Sequence, residues 1–396
     1  MNYCQIILKP KKEESLLRFH PWVFSGAIAS IKGKPKEGEL VEVFASNNTF
    51  LGIGHYQIGS IAVRILSFRQ ITIDPSFWIT RIKSAYDLRQ VLKLVGETNN
   101  NTYRLINGEG DQLPGLIIDI YDNAAVIQAH SVGMHLERKT IAKALKEVLG
   151  DTCQNIYYKS EGTLPFKADI ENANEYLLGS SPEKEHIALE KGLQFHVDWL
   201  KGQKTGFFID QRENRLLLEQ YSQNRHVLNM FCYTGGFSVY AMRGNAAKVH
   251  SVDSSAKAIS LTEKNIELNF PNDPRHQAFT EDAFNFLEKM GDQYDLIILD
   301  PPAFAKHKNV LRNALQGYRK LNAIAFEKIK PGGIIFTFSC SQVVSKNDFR
   351  LAVFSAAAQS GRHVRILHQL TQPADHPVNI YHPEGEYLKG LVLYVE

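Results

Sequence analysis

Two short segments carry reactive groups at the ends of apolar runs. Asp300-Pro301-Pro302-Ala303-Phe304 follows Leu296-Ile297-Ile298-Leu299, and Cys340 follows Phe336-Thr337-Phe338-Ser339. Two prolines fix the backbone and remove two amide donors, so the acid sits on a rigid turn and Phe304 is placed to stack on a planar base. The thiol adds a nucleophile. Carbon 5 of a pyrimidine is too electron-poor to take a methyl group directly, whereas thiolate addition at C6 turns C5 into an enamine carbon that can attack. A lone cysteine is most often a packing residue and Asp-Pro-Pro is by itself a plain turn. Their common position, at the ends of what read as consecutive strands, makes a base-modifying site of the pair. A free thiol has a pKa of about 8.5, so only a few per cent is ionised at neutral pH and the site is expected to lower that value, with Lys306 as the nearby cation.

A second constellation reads as a cofactor pocket. Asn229-Met230-Phe231-Cys232-Tyr233-Thr234-Gly235-Gly236-Phe237-Ser238 follows the apolar run that begins at His226. Paired glycines allow a tight turn and close approach of a ligand to the backbone. The three glycines of a dinucleotide fingerprint are missing, which moves the reading from NAD to another adenosyl ligand. Asp253 closes the next run, where an acid can accept hydrogen bonds from ribose hydroxyls, with Ser254 beside it. Asp282 ends the third run, on the adenine side. Each residue has a bland reading as a turn or helix cap; their order along one βαβαβ unit is what singles them out. Cys232, inside this loop, reads as a small packing residue.

These residues need a scaffold that brings strand ends together. From 226 onward, apolar runs at 226–232, 248–253, 277–280, 295–300, 333–339, 364–367 and 391–395 alternate with helical stretches at 236–242, 255–269 and 311–329. Strands alternating with helices predict a parallel, doubly wound α/β sheet, which binds ligands at the carboxyl ends of its strands. Ser254 or Ser255 would cap the second helix. Upstream, short strands at 40–44, 50–54 and 61–65 predict a small β-barrel, and Asp74-Pro75 opens a helix over 77–94. Residues 103–190 give a hairpin around Asp122-Asn123, a helix over 135–149 and a strand at 155–158. The expected division is 1–70, a barrel; 71–190, a small central α+β domain; and 191–396, the α/β domain.

Composition narrows the function class. In 396 residues, 44% are hydrophobic and 22% charged, the balance of a folded globular protein. No apolar stretch is long enough to span a bilayer, and no membrane partner is expected. Cys4, Cys153, Cys232 and Cys340 are scattered without a CxxC pair, and His363, His368, His376 and His382 lack ligand spacing, so neither disulfides nor a metal is expected. A reducing cytoplasm fits this usage. Net charge is only 45 − 42 = +3, but it is clustered. Residues 1–36 hold Lys9, Lys11, Lys12, Arg18, Lys32, Lys34 and Lys36 against two acids. Residues 300–330 repeat the pattern with Lys306, Lys308, Arg312, Arg319, Lys320, Lys328 and Lys330. Such patches suit phosphate contacts.

Further motifs carry a family resemblance. They are His20-Pro21-Trp22-Val23-Phe24-Ser25-Gly26, the stretch Asp111-Gln112-Leu113-Pro114-Gly115-Leu116-Ile117-Ile118-Asp119, and Lys204-Thr205-Gly206-Phe207-Phe208-Ile209-Asp210-Gln211-Arg212. With the loops at 233–237, 300–304 and 339–341, the chain resembles, over essentially its whole length, a bacterial family of ribosomal RNA large-subunit methyltransferases. That family joins an amino-terminal PUA domain to a class I S-adenosylmethionine (SAM) fold and makes 5-methylcytosine in 23S rRNA. The resemblance implies that Asn229, Phe231, Tyr233, Thr234, Gly235 and Gly236 wrap SAM, with Asp253 and Ser254 at the ribose, Asp282 near the adenine, Asp300 beside the methyl donor and Asp210–Arg212 covering the cofactor. Arg212 could also pair with a carboxylate such as that of methionine. It further implies Cys340 as nucleophile and Asp300 on the cytosine N3 edge. Pro301, Pro302, Phe304 and Lys306 would meet the substrate, and His20 and Trp22 would lie on the RNA face of the barrel. The partner is 23S rRNA or a pre-ribosomal particle, and a homodimer is compatible. In one respect the chain departs from some RNA cytosine-5 methyltransferases: the fourth-strand loop reads Pro-Pro-Ala-Phe, without the second cysteine that releases product. Two other readings stay open on the sequence: guanine or adenine N-methylation without a covalent adduct, and a non-catalytic RNA-binding assembly factor.

Overall fold

The structure, a computed structural model, describes residues 3–164, 173–181, 186–305 and 307–396. The chain forms two compact units, one of residues 1–189, 197–209 and 374–385, the other of 190–196, 210–373 and 386–396.

The first unit holds two sheets. β1 (Cys4–Leu8), β2 (Trp22–Phe24), β3 (Ile28–Lys32), β4 (Leu40–Phe44), β5 (Phe50–Tyr56) and β6 (Ile61–Ser67) form a six-stranded sheet in the order β2-β6-β5-β4-β1-β3, with the short helix α1 (Glu14–Leu17) between β1 and β2. Alternating apolar residues give it its own core of Ile6, Leu8, Val23, Val41, Val43, Val63 and Ile65. Gly54 is required where β5 crosses β6, since a Cβ there would lie 2.0 Å from the Arg64 carbonyl oxygen. α2 (Pro75–Val91) then starts on Asp74, whose carboxylate accepts the amides of Ser76 and Phe77 at 2.9 and 3.1 Å. It packs with α4 (Arg138–Leu149) on a second sheet, β11-β10-β9-β8-β7, made of β7 (Thr102–Asn107), β8 (Leu116–Tyr121), β9 (Ala124–Ala129), β10 (Asn155–Tyr158) and β11 (Glu175–Leu178). The helix expected over 135–149 is two pieces, α3 (Val132–Leu136) and α4.

The motif acids at 111 and 119 are structural. Asp111 accepts both guanidinium ends of Arg89, at 2.5 and 2.8 Å, and Asp119 accepts Arg104 at 2.7 and 2.9 Å and the Thr205 hydroxyl at 2.6 Å. Arg89 also donates to the Asp375 carbonyl, and the Asp375 carboxylate accepts the Arg104 amide, which fastens 374–385 to the second sheet.

Two short strands, β12 (Ile187–Glu190) and β13 (Leu193–His196), and a helix, α5 (Arg212–Tyr221), precede the second unit's main sheet. That sheet runs β16-β15-β14-β17-β18-β20-β19. Its strands are β14 (His226–Met230), β15 (Lys248–Asp253), β16 (His276–Thr280), β17 (Leu296–Leu299), β18 (Gly333–Ser339), β19 (Val364–Leu370) and β20 (Lys389–Val395). Between them lie α6 (Gly236–Arg243), α7 (Ala256–Asn269), α8 (Ala283–Lys289), α9 (Leu311–Lys328) and α10 (Lys346–Ser360). The expected all-parallel sheet needs one correction: β20 runs antiparallel to both β18 and β19. A last strand that inserts between two others without a crossover helix has to enter reversed. The division into three domains stands as a proposal, supported by three separate clusters of buried apolar residues, one per segment.

Candidate functional site

The carboxyl edge of the second unit's sheet collects the polar residues of four strands. β14 lies between β15 and β17, and β17 beside β18, all parallel. The loops after Met230, Asp253, Leu299 and Ser339 therefore leave the sheet side by side.

The loop after β14 is wound tightly. Phe231 and Tyr233 take positive φ values of 58° and 48°, and Gly235, at φ 76°, caps α6. A Cβ on Gly235 would lie 2.6 Å from the Thr262 methyl. Strain at two non-glycine residues on either side of Cys232 is characteristic of binding loops. Asn229 donates to the Ser238 hydroxyl at 2.9 Å, while its buried Oδ1 has no hydrogen-bond partner. Thr234 is buried, its carbonyl accepting Asn265 Nδ2 at 2.8 Å. Cys232 is buried, its thiol pushed up to about 12 by burial and set 3.6 Å from the Thr262 hydroxyl, the environment of a packing residue.

At the end of β15, Asp253 accepts the Tyr233 amide at 3.1 Å and the Ser255 amide at 2.9 Å, which leaves lone pairs on both oxygens. Ser255 is the helix cap, accepting the Ala258 amide, and Ser254 is exposed. Asp282 lies beyond the third strand, not at its end. It caps α8 by accepting the Asn285 amide at 3.0 Å, next to Glu281, whose amide reaches the Asp253 carbonyl.

Asp300 and Cys340 emerge from neighbouring strands and share one electrostatic environment. The Asp300 carboxyl is pushed up to about 7, chiefly by burial and then by the Asp210 carboxylate, against the Gln211 amide that donates to it at 3.0 Å. The Cys340 thiol is pushed up to about 12 by burial, with Asp300 and Asp210 adding to the effect. This overturns the expectation that the site lowers the thiol pKa: the groups facing it are acids. Lys306, the cation expected there, lies outside the described residues. Lys389 opposes the acids instead. It is 4% exposed, and its Nζ donates to the carbonyls of Ser341 at 2.5 Å and Tyr387 at 2.7 Å. Burial lowers its own pKa to about 8, while the Cys340 thiol acts in the opposite sense.

Sequence reasoning missed Lys389 and Gln211. A lysine opening the apolar run Lys389-Gly390-Leu391-Val392-Leu393 was the available signal for the first. Gln211 reads only as part of the Asp210–Arg212 stretch over the cofactor; it donates to Asp300 and accepts Asn214 Nδ2 at 2.6 Å.

Asp210 accepts the Tyr387 hydroxyl at 2.7 Å and has its other oxygen buried without a partner. Arg212 is buried at the start of α5 and pairs with Glu213 at 3.2 Å. Pro301 is buried and Pro302 exposed. The Phe304 ring packs on Tyr318, centroids 4.7 Å apart, so it anchors the Asp-Pro-Pro turn to α9 with at least part of its surface. His20 and Trp22 belong to the first unit.

The donor set fits a cationic adenosyl cofactor. The Asp300 carboxyl is raised by burial and by Asp210, and one oxygen each of Asp210 and Asn229 has no hydrogen-bond partner among the described residues, so these acceptors favour positive charge or N–H and O–H donors. A doubly wound sheet with this loop set defines a class I methyltransferase.

The comparisons with known proteins agree. Residues 132–384 match the family model for S-adenosylmethionine-dependent methyltransferase, and residues 6–68 that for a PUA-like domain. Two curated relatives, from Tolumonas auensis and Erwinia tasmaniensis, are both called ribosomal RNA large subunit methyltransferase I. Each is 39% identical; the first alignment covers 98% of either chain and the second 99%. Among solved structures, a chain described as a SAM-dependent methyltransferase from Streptococcus mutans shares the fold, with a TM-score of 0.84, 22% identity and coverage of 99% of this chain and 100% of its own. A second, SMU.776, described as a methyltransferase complexed with SAH, gives a TM-score of 0.85 at 23% identity with the same coverage. The chain belongs to the family of SAM-dependent methyltransferases that includes the ribosomal RNA large subunit methyltransferase I proteins, and SAM is its cofactor.

Proposed function

We propose that the protein methylates carbon 5 of a cytosine in large-subunit ribosomal RNA, with Cys340 as the nucleophile. The observation that carries this is a thiol and a carboxyl of pKa near 7 leaving the carboxyl ends of adjacent strands, β17 and β18. Ribosomal RNA is supported by the names of the relatives and by the PUA-like match. Exposed cations add to it: Lys9, Lys11, Lys12, Arg18, Lys32, Lys34 and Lys36 in the first unit, and Lys308, Arg312, Arg319 and Lys320 after the Asp-Pro-Pro turn in the second. With that substrate, the place of action is the cytoplasm; among the described residues no helix is long and apolar enough to cross a membrane.

Bound SAM supplies an electrophilic methyl group on a cationic sulfur. Asn229, Phe231, Tyr233 and Thr234–Gly236 would hold its amino-acid and ribose portions, Asp253 and Ser254 the ribose hydroxyls, and Asp282 the adenine side, with Asp210 and Arg212 closing over it. Asp300, a carboxylic acid for part of the time at neutral pH, donates a hydrogen bond to cytosine N3 and draws electron density away from C6. The Cys340 thiol gives its proton to solvent water, the sulfur–C6 bond forms and the C5–C6 π electron pair moves to C5. Lys389 steadies the thiolate against the two acids. Once C5 is methylated, its proton leaves to a base, the electron pair re-forms the C5–C6 double bond and the thiolate is expelled. Pro302 and the free surface of Phe304 line the entry of the base.

The test supplies isotopically labelled SAM with unmodified rRNA and identifies the labelled nucleoside by digestion and mass spectrometry. Label on cytosine C5 is expected; label on a purine nitrogen would overturn the reading.

A further inference from the structure

The first unit brings together three side chains from opposite ends of the chain. His20 lies in the turn after α1, where Phe19 takes φ 63° and the His20 amide bonds the Ser15 carbonyl. His382 and Glu384 lie in the segment 374–385, on a turn closed by the His382 amide on the Asn379 carbonyl and the Gly385 amide on the His382 carbonyl. His20 Nε2 is 3.6 Å from Glu384 Oε2, and His382 Nε2 is 3.7 Å from the same oxygen. The three ligand atoms lie within 4.8 Å of one another.

His382 supplies the independent observation. It is 3% exposed, and neither of its ring nitrogens has a hydrogen-bond partner. A buried neutral imidazole needs one donor partner and one acceptor partner, and leaving both unmade is destabilising. Its ring is held in place by Trp22, centroids 4.3 Å apart, and Trp22 is itself fixed by its Nε1 donating to Glu109 at 2.8 Å. The imidazole is therefore positioned by packing, with no hydrogen bond to either ring nitrogen among the described residues and Glu384 at 3.7 Å from Nε2.

We propose that His20, His382 and Glu384 form a binding site for a divalent transition-metal ion of the zinc type. Two imidazoles and one carboxylate are a common protein donor set for zinc, with water free to take the fourth position. Bonds of about 2.0–2.1 Å in a tetrahedron place ligand atoms about 3.3 Å apart, so the nitrogen–oxygen separations of 3.6 and 3.7 Å need to close by a few tenths of an ångström, and the two nitrogens, within 4.8 Å of each other, close by turning the His20 ring. His20 Nδ1 accepts the Trp22 amide at 3.2 Å and lies 3.4 Å from the Trp22 carbonyl oxygen, so binding through Nε2 requires the ring to move its proton to Nδ1 and donate to that carbonyl. Glu384 lies against both rings and Glu109 against Trp22, so carboxylates are the charged groups that flank the two imidazoles, which favours a cation. The bound ion would clasp residue 20 to residue 384 and close the turn after α1 against the 374–385 segment. Spacing along the sequence hides the site, because its ligands share no local motif.

The test uses full-length, untagged protein stripped with a chelator, dialysed against zinc and assayed for metal per chain, with cobalt(II) as a spectroscopic probe. We expect one zinc per chain, a tetrahedral cobalt spectrum and a higher melting temperature with zinc. His382→Ala should abolish these, and His20→Ala and the exposed-site variant Glu384→Gln should each weaken zinc at least tenfold while remaining folded by circular dichroism. Cys340→Ser should bind as the wild type does. A wild-type protein that retains no stoichiometric zinc, or wild-type affinity in both His20→Ala and Glu384→Gln, would overturn the proposal.

Discussion

Asp300 concentrates the chemistry of the site in one carboxyl. Its pKa near 7 arises because burial and the Asp210 carboxylate disfavour the charged form, so it is a proton donor where most aspartates are not. The raised value has a stability sign. Between about pH 4 and pH 7 the folded protein holds a proton that the unfolded chain has released, so this residue's contribution falls as pH rises through that window. Asp300→Asn removes the buried charge and keeps an acceptor for Gln211. We therefore expect the variant to melt higher than the wild type at pH 8, by roughly 2 °C or more per kcal/mol, and the gain to vanish at pH 4. Turnover on rRNA should fall about a hundredfold or more. Calorimetric melts at the two pH values, with single-turnover assays, check both. At this scale much of the site could be read in the sequence: a thiol and a rigid acid at strand ends announce themselves by type and position. The sign of the thiol shift could not, because it is set first by burial and then by Asp300 and Asp210, and both the burial and the approach of Asp210 come only with folding.

The glycine loop shows what an element contributes. Phe231 and Tyr233 adopt left-handed backbone so that Gly235 can turn into α6, and Thr262 of α7 fills the space where a side chain would stand. Gly235→Ala forces either the loop or α7 to move. The expected result is a loss of about 1–3 kcal/mol of stability and at least tenfold weaker binding of S-adenosylhomocysteine, read by calorimetry. Unchanged affinity would mean that this turn does not touch the cofactor. Most strands and helices of the second unit follow from apolar runs and their periodicity. The direction of β20 does not, since a pattern of apolar residues is the same whichever way a strand runs. Asp282 likewise gave only a position: its role as a cap depends on where β16 stops, and the sequence marks that boundary weakly.

For the whole molecule, the amino-terminal barrel, the middle sheet and the α/β sheet each show a hydrophobic core that composition and periodicity anticipate. Hidden from the sequence was the use of residues 374–385, which leave the strands of the second unit to pack in the first. Their anchor is the Arg89, Asp111, Arg104 and Asp375 network, whose members are scattered over 287 positions and unmarked by any repeat. The same excursion delivers His382 and Glu384 to His20, which explains why the sequence argued against a metal. The account as a whole rests on a covalent bond between Cys340 and the pyrimidine, and one measurement addresses it directly. RNA carrying 5-fluorocytosine in place of cytosine offers no C5 proton to release, so an enzyme that adds a thiolate at C6 stays attached after methyl transfer. With SAM present, wild-type protein should give a denaturant-resistant protein–RNA adduct mapping to Cys340, and Cys340→Ser should give none. Efficient methylation of the normal RNA without any trapped adduct, or an equal adduct in Cys340→Ser, would contradict it.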